Sequence, residues 1–190
     1  YDSVSCLYIL RHGLGKAENS EEKMNTEELK QLCIDTGTLL KNHHLFVATA
    51  ESCTGGGLSY WLTSARGSSA WFDCGFITYS NDAKIKQLGV SSHLIEQYGA
   101  VSQQTAEAMA IGTLKNSTAD LCVAITGIAG PDGGSKDKPV GTVWISGMRR
   151  DQSVTATCYE FSGDRQQIRL QAIVKALSHI QELVKQTLPA

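Results

Sequence analysis

The sequence predicts a single-domain α/β protein, a three-layer α/β/α sandwich built around a mixed sheet. Three observations carry this. The chain has 190 residues, the size of one domain at about 100–200 residues each. Short apolar runs without alternation, the mark of strands covered on both faces, interleave with segments of helical periodicity. Near the carboxyl end, two strand-like runs joined by a polar turn make an antiparallel pair, so the sheet is mixed.

Residues 1–23 differ from the rest, starting at Tyr1 and drifting into a polar stretch that ends Glu21-Glu22-Lys23. They read as an N-terminal extension, with the domain over 24–190. From 26 to 42, Leu29, Leu32, Cys33, Thr36, Leu39 and Leu40 recur at helical spacing, and Glu27 and Glu28 suit a helix start. Leu45–Ala50 is a short β-branched and aromatic run, read as a buried strand, with a helix after it to about Ser64. Cys74–Tyr79 reads as a second strand. Asn81 is the expected cap of a helix to about Leu88, and residues 92–98 form another short one. Ser102 caps a helix to about Asn116, and Leu121–Thr126 is a third strand, apolar on both faces. Val140–Ser146 and Val154–Glu160 are the terminal pair. The last helix starts near Ser162–Arg165 and runs to about Leu188, with Ile168, Ala172, Ala176, Leu177, Ile180 and Val184 on one face.

Composition narrows the function. With 17 basic and 19 acidic residues, the net charge of -2 argues against a nucleic-acid partner held by phosphate neutralisation. No pair of the six cysteines is spaced C-x-x-C, and no H-E-x-x-H occurs, so no metal site and no cofactor are expected. Cys74 and Cys122 sit in apolar runs, as reduced core thiols do, which suits a cytoplasmic location. No apolar run reaches membrane-spanning length.

Two loops after apolar strands stand out, because ligands bind at the carboxyl ends of strands in open α/β sheets. The first is Glu51-Ser-Cys-Thr-Gly-Gly-Gly57. Its glycines let backbone N–H groups approach a ligand at a helix start, and Ser52 or Cys53 can be a nucleophile. Helix capping by Ser52 and Thr54 accounts for the loop equally well. The second is Gly127-Ile-Ala-Gly-Pro-Asp-Gly-Gly134, whose amides can form an anion nest. A third candidate, Lys84, falls in the first turn of its helix, where the dipole lowers a lysine pKa and favours a general base. Taken alone, a solvated surface lysine is the commoner outcome there. Arg165, at the last helix start, can fork onto a phosphate or carboxylate, although a surface ion pair is commoner. His93 and His179 lie in helical segments and read as structural.

Together these segments resemble the CinA C-terminal domain family of competence/damage-inducible proteins. The resemblance rests on Ala50–Gly56 (AESCTGG), Gly75–Asn81 (GFITYSN) with Ala83-Lys84, Gly99–Ser102 (GAVS), Thr126–Gly134 (TGIAGPDGG), Lys138–Trp144 (KPVGTVW) and Phe161–Arg165 (FSGDR), in that order over about residues 26–186. For a domain without the family's larger N-terminal part, it implies hydrolysis of the carboxamide of nicotinamide mononucleotide to nicotinate mononucleotide and ammonia, without metal. It implies Ser52 as nucleophile, Lys84 as the acceptor of its proton, Tyr79 as an assisting hydrogen-bonding group and Thr126 as part of the polar site. Cys53, Thr54, Gly55, Gly56, Gly127, Gly130 and Arg165 then border the substrate, with Arg165 at the phosphate. The amides of 53–57 are oxyanion-hole candidates, and Tyr79 and Glu51 are candidate neighbours for the cationic pyridinium. A homodimer is expected. Gly57 extends the usual glycine pair and is expected to loosen the helix start. A non-catalytic mononucleotide-binding or partner-regulating module is the alternative.

Overall fold

The computed structural model describes residues 26–186; the expected extension 1–23 lies outside them. Six helices and five strands follow one another among the described residues: α1 (Thr26–Asn42), β1 (Val47–Glu51), α2 (Gly57–Ser64), a short 3-10 turn, β2 (Phe72–Ile77), α3 (Asn81–Leu88), α4 (Ser92–Tyr98), α5 (Gln103–Lys115), β3 (Leu121–Gly127), β4 (Thr142–Arg149), β5 (Thr155–Glu160) and α6 (Arg165–Lys185).

The five strands form one sheet in the order β2-β1-β3-β4-β5. β2, β1 and β3 are parallel, while β4 runs antiparallel to both β3 and β5. The sheet is therefore mixed, and three-layered as expected. One face carries α1, α2 and α6 over an apolar cluster that includes Leu29, Leu40, Leu58, Leu62, Val123, Ile125, Ile168, Leu177 and Ile180. The other carries α3, α4 and α5 over a smaller cluster of Leu88, Ile95, Met109, Leu114, Cys122 and Ala124. β1 and the six residues Leu121–Thr126 of β3 are buried throughout, which is why their sequences lack alternation. All six residues of the α6 stripe are buried.

Several boundaries differ from expectation. β1 begins at Val47 because the chain is still turning before it: His44 has φ 54 and Leu45 N–H bonds back to Leu40 O. β2 spans Phe72–Ile77, since its register follows β1 from Val47↔Phe72 to Glu51↔Ile77. Thr78 and Tyr79 are thus released from the strand. β4 starts at Thr142, after Gly141 at φ +98, and leaves Val140 exposed in the preceding loop. The cap of α3 is Ser80, whose hydroxyl accepts the Ala83 N–H at 3.1 Å, and Asn81 is the first helical residue. No helix among the described residues is long and apolar enough to cross a membrane.

Candidate active site

The parallel register aligns three strand ends. Glu51 pairs with Ile77 on one side and Ile125 on the other. The next residues, Ser52, Thr78 and Thr126, therefore stand level at the carboxyl edge of β1, β2 and β3. Backbone bonds lock them there: Thr78 N–H to Glu51 O at 2.9 Å and Ser52 N–H to Ile125 O at 3.0 Å. Two shallow depressions, lined among others by Lys41, Asn42 and Trp71, lie at the opposite, amino ends of β1 and β2.

Lys84 enters this edge from the first turn of α3. Its Nζ lies 3.0 Å from Ser52 Oγ, 2.9 Å from Thr78 O and 3.2 Å from Tyr79 O. The residue is 1% exposed, so the reading as a surface lysine is wrong. No carboxylate forms an ion pair with it among the described residues. Burial without a counterion penalises the ammonium and lowers the lysine pKa from 10.5 to about 8. Desolvation, more than the helix dipole invoked from sequence, is the main cause.

The three partners match both protonation states. An ammonium donates three hydrogens, one to each oxygen. A neutral amine donates two, to the Thr78 and Tyr79 carbonyls, and its lone pair then accepts the Ser52 hydroxyl hydrogen. Only one bond reverses direction, so proton transfer from serine to lysine needs no rearrangement. This is the arrangement of an activated hydroxyl nucleophile.

The loop after Ser52 is built from glycine for identifiable reasons. Gly55 has φ 58, and Gly56, the N-cap of α2, has φ 91. These left-handed positions favour glycine. Gly57 lies where α2 meets α6: a Cβ there would come 2.8 Å from Ile173 Cδ1, the end of a side chain that can give way. Neither Ser52 nor Thr54 caps α2. That role falls to Glu51, whose carboxylate accepts Leu58 N–H at 3.0 Å, Ser59 N–H at 2.8 Å and Ser59 Oγ–H at 2.7 Å. Glu51 is fully buried and committed to the helix start, so it is not a neighbour for a substrate cation.

Cys53 is buried in the α1/α2/α6 cluster, and desolvation pushes its thiol up to about 12. No thiolate forms there near neutral pH, and the Ser52 hydroxyl is the group that Lys84 reaches. The Gly55 N–H bonds to Ser52 O and the Gly57 N–H to Thr54 O. The N–H groups of Thr54 and Gly56 have no acceptor among the described residues, whereas that of Cys53 faces its own thiol, which narrows the oxyanion candidates within 53–57.

Other expected residues fall around this centre. Thr126 is buried, and its hydroxyl donates to Ala100 O at 2.8 Å, tying the Gly99–Ser102 segment to the edge. Gly127 has a packing reason: a Cβ would lie 2.8 Å from Thr142 O. Arg165, in the first turn of α6, donates to Gly130 O at 2.7 Å and to Tyr79 Oη at 3.1 Å. It joins the second glycine loop to the β2–α3 turn and forms no surface ion pair. Asp164 caps its helix in a reciprocal capping box with Gln167. His179 bonds Tyr159 Oη at 2.8 Å, away from this edge.

Two residues escaped the sequence reading. One is Glu51 as helix anchor. The other is Arg169, whose Nη2 donates to Thr54 O at 2.7 Å. A signal for it existed: Arg169 follows Arg165 by four residues, which puts both on one helix face. Lys84, Arg165 and Arg169 converge on this edge, each held by carbonyl or hydroxyl oxygens and none by a carboxylate. Such uncompensated positive charge suits an anionic ligand.

Comparison with known proteins identifies the family. Nicotinamide-nucleotide amidohydrolase PncC of Enterobacter agglomerans is 49% identical over 163 residues, covering 85% of this chain and 99% of that protein. Its namesake from Escherichia coli strain K12 is 50% identical over 156 residues, 81% of this chain and 93% of that protein. The crystal structure of competence/damage inducible protein CihA from Agrobacterium tumefaciens superposes with a TM-score of 0.79 at 42% identity, covering 83% of this chain and 95% of that one. The CinA C-terminal domain profile matches residues 29–184, a span that holds every strand, the Ser52 loop, Lys84 and both arginines, and the chain therefore belongs to the CinA C-terminal domain family.

Proposed function

We propose that the chain is a nicotinamide-nucleotide amidohydrolase, which cleaves the carboxamide of nicotinamide mononucleotide to nicotinate mononucleotide and ammonia by serine nucleophilic catalysis. The observation that carries this reading is the 3.0 Å bond between Ser52 Oγ and a buried Lys84 Nζ with no carboxylate beside it. The names of the relatives supply the substrate class.

In the first step Ser52 Oγ attacks the carboxamide carbon while its proton passes to the Lys84 amine. The negative charge that develops on the carbonyl oxygen is met by amide hydrogens of Thr54 and Gly56. One such donor is typically worth about 3–4 kcal/mol. The Lys84 ammonium then protonates the departing nitrogen, ammonia leaves and an acyl ester remains on Ser52. Water attacks the ester with Lys84 again taking the proton, and nicotinate mononucleotide is released with the serine restored. Thr126 serves by fixing the Ala100 turn beside the nucleophile.

Arg165 is the candidate phosphate ligand. Two of its five N–H donors are occupied by Gly130 O and Tyr79 Oη; the rest have no partner among the described residues and can fork onto an anion. Gly130, whose carbonyl Arg165 holds, keeps the second glycine loop against the same edge. The Tyr79 ring is 60% exposed and offers a face to the cationic pyridinium. Action on the nucleotide in a reducing cytoplasm, as a homodimer, belongs to the same proposal; sedimentation equilibrium at micromolar concentration checks the dimer.

The test is ammonia release from nicotinamide mononucleotide by purified protein, with chelator present, beside Ser52→Ala. Release by the wild type alone is expected. Nucleotide binding without turnover in the wild type would instead favour the non-catalytic module.

A further inference from the structure

Arg169 sits one turn beyond Arg165 on α6 and reaches back to the nucleophile loop. Its Nη2 donates to Thr54 O at 2.7 Å. The same oxygen accepts the Gly57 N–H at 3.1 Å, and the N–H of that same peptide, on Gly55, donates to Ser52 O at 3.0 Å. The Thr54–Gly55 peptide is thus pinned at both of its polar ends. It needs pinning, because Gly55 tolerates either sign of φ and gives the peptide little steric resistance to rotation. Rotation would break the Ser52–Gly55 turn and carry off the neighbouring amides.

The side chain is a poor choice for stability alone. It has no carboxylate partner among the described residues. Its Nε is buried without an acceptor, a desolvation cost left uncompensated. An arginine selected for packing would pair its guanidinium; this one gives up a buried donor to hold one carbonyl of the catalytic loop.

We propose that Arg169 is a positioning residue, a clamp that fixes the Thr54–Gly55 peptide so that Ser52 and the free amides of Thr54 and Gly56 keep their geometry for attack. The proposal rests on the amidase reading for its consequence in turnover, but not for the clamp itself.

The test compares wild type, Arg169→Lys and Arg169→Ala by steady-state ammonia release, thermal melting and amide hydrogen exchange. For Arg169→Ala, kcat should fall about 100-fold, the effect of a small misplacement of reacting groups, with KM within about threefold. Added guanidinium should restore part of kcat, and Arg169→Lys should fall between the two. Gly55 N–H exchange should quicken about tenfold or more in Arg169→Ala, while the core strands keep their protection. An unchanged kcat would overturn the proposal. So would a rise confined to KM, which would make Arg169 a substrate ligand, or loss of folding in both variants, which would make it a fold residue. If wild type releases no ammonia, the amidase reading fails, and Gly55 exchange alone then decides the clamp: unchanged protection in Arg169→Ala refutes it.

Discussion

The proposed chemistry runs only on the neutral amine of Lys84, so the rate must follow that amine. A lysine with a pKa of about 8 is roughly 9% neutral at pH 7, against about 0.03% for a lysine at 10.5, a gain of about 300-fold in competent enzyme. The plot of kcat/KM against pH should therefore rise about tenfold per unit below pH 8, about 50-fold in all between pH 6 and pH 8, and level off above it. The substrate phosphate titrates near 6, so a limb near 8 belongs to the enzyme. The limb in kcat should lie lower than that in kcat/KM, because a bound pyridinium cation further disfavours the ammonium. Lys84→Arg closes the argument. A guanidinium cannot lose its proton, so charge stays while the base disappears, and kcat should drop about 10²–10⁴-fold at every pH. The assay is initial-rate ammonia release from pH 5.5 to 9.5. A flat profile, or a limb near 8 that survives in Lys84→Arg, would refute lysine as the base.

Three further substitutions test the frame that holds the site. Glu51→Gln replaces one carboxylate oxygen by an NH₂ that faces the α2 donors; a donor left unpaired there should cost about 1–3 kcal/mol, read as a lower midpoint in urea, and should reduce turnover because Ser52 is the next residue. Gly112→Ala puts a Cβ onto the Leu88 carbonyl, where α5 meets the end of α3; about 1–3 kcal/mol of overpacking is expected, and kcat should fall with it because α3 carries Lys84. Ser80→Ala removes the α3 cap and should cost about 1 kcal/mol by denaturant titration, with a smaller effect on rate than Gly112→Ala.

Much of this was legible in the sequence, for physical reasons. The α6 stripe and the two-face-apolar β1 and β3 could be read because burial imposes a period on local sequence. The Ser52 loop could be read because positive φ at Gly55 and Gly56 demands glycine. The burial of Lys84 could not. It depends on α3 folding back over Ser52, 32 residues away; the one local hint, that Lys84 shares a helix face with the buried Leu88 while Lys86 makes an exposed ion pair with Asp82, does not by itself bury a lysine. The cap of α3 slipped by one residue because Ser80 and Asn81 are both good cappers. Glu51 misled because a carboxylate next to a nucleophile reads as chemistry, whereas register turns it to the start of α2.

The same buried lysine ties function to stability, with a sign that can be checked. Its pKa is lowered in the folded protein, so between about 8 and 10.5 the unfolded chain binds more protons at this site, and stability rises with pH. The contribution is complete above the unfolded value and is lost as pH falls through the folded one. One pH unit of proton difference is worth about 1.4 kcal/mol, and with the folded value near 8 the interval from pH 7 to pH 9 spans about one such unit, so about 1 kcal/mol is expected. Lys84→Met removes the titration together with the base. At any one pH its stability mixes two effects, relief of a buried cation and loss of the partner of the Thr78 and Tyr79 carbonyls. The difference between pH 7 and pH 9 isolates the first, because the lost bonds do not titrate. Urea unfolding of both proteins at the two pH values should therefore show wild type gaining about 1 kcal/mol on Lys84→Met as the pH rises. A gap that stays constant would mean that Lys84 titrates alike in the folded and unfolded chains, and the amine on which the mechanism depends would then be absent at neutral pH.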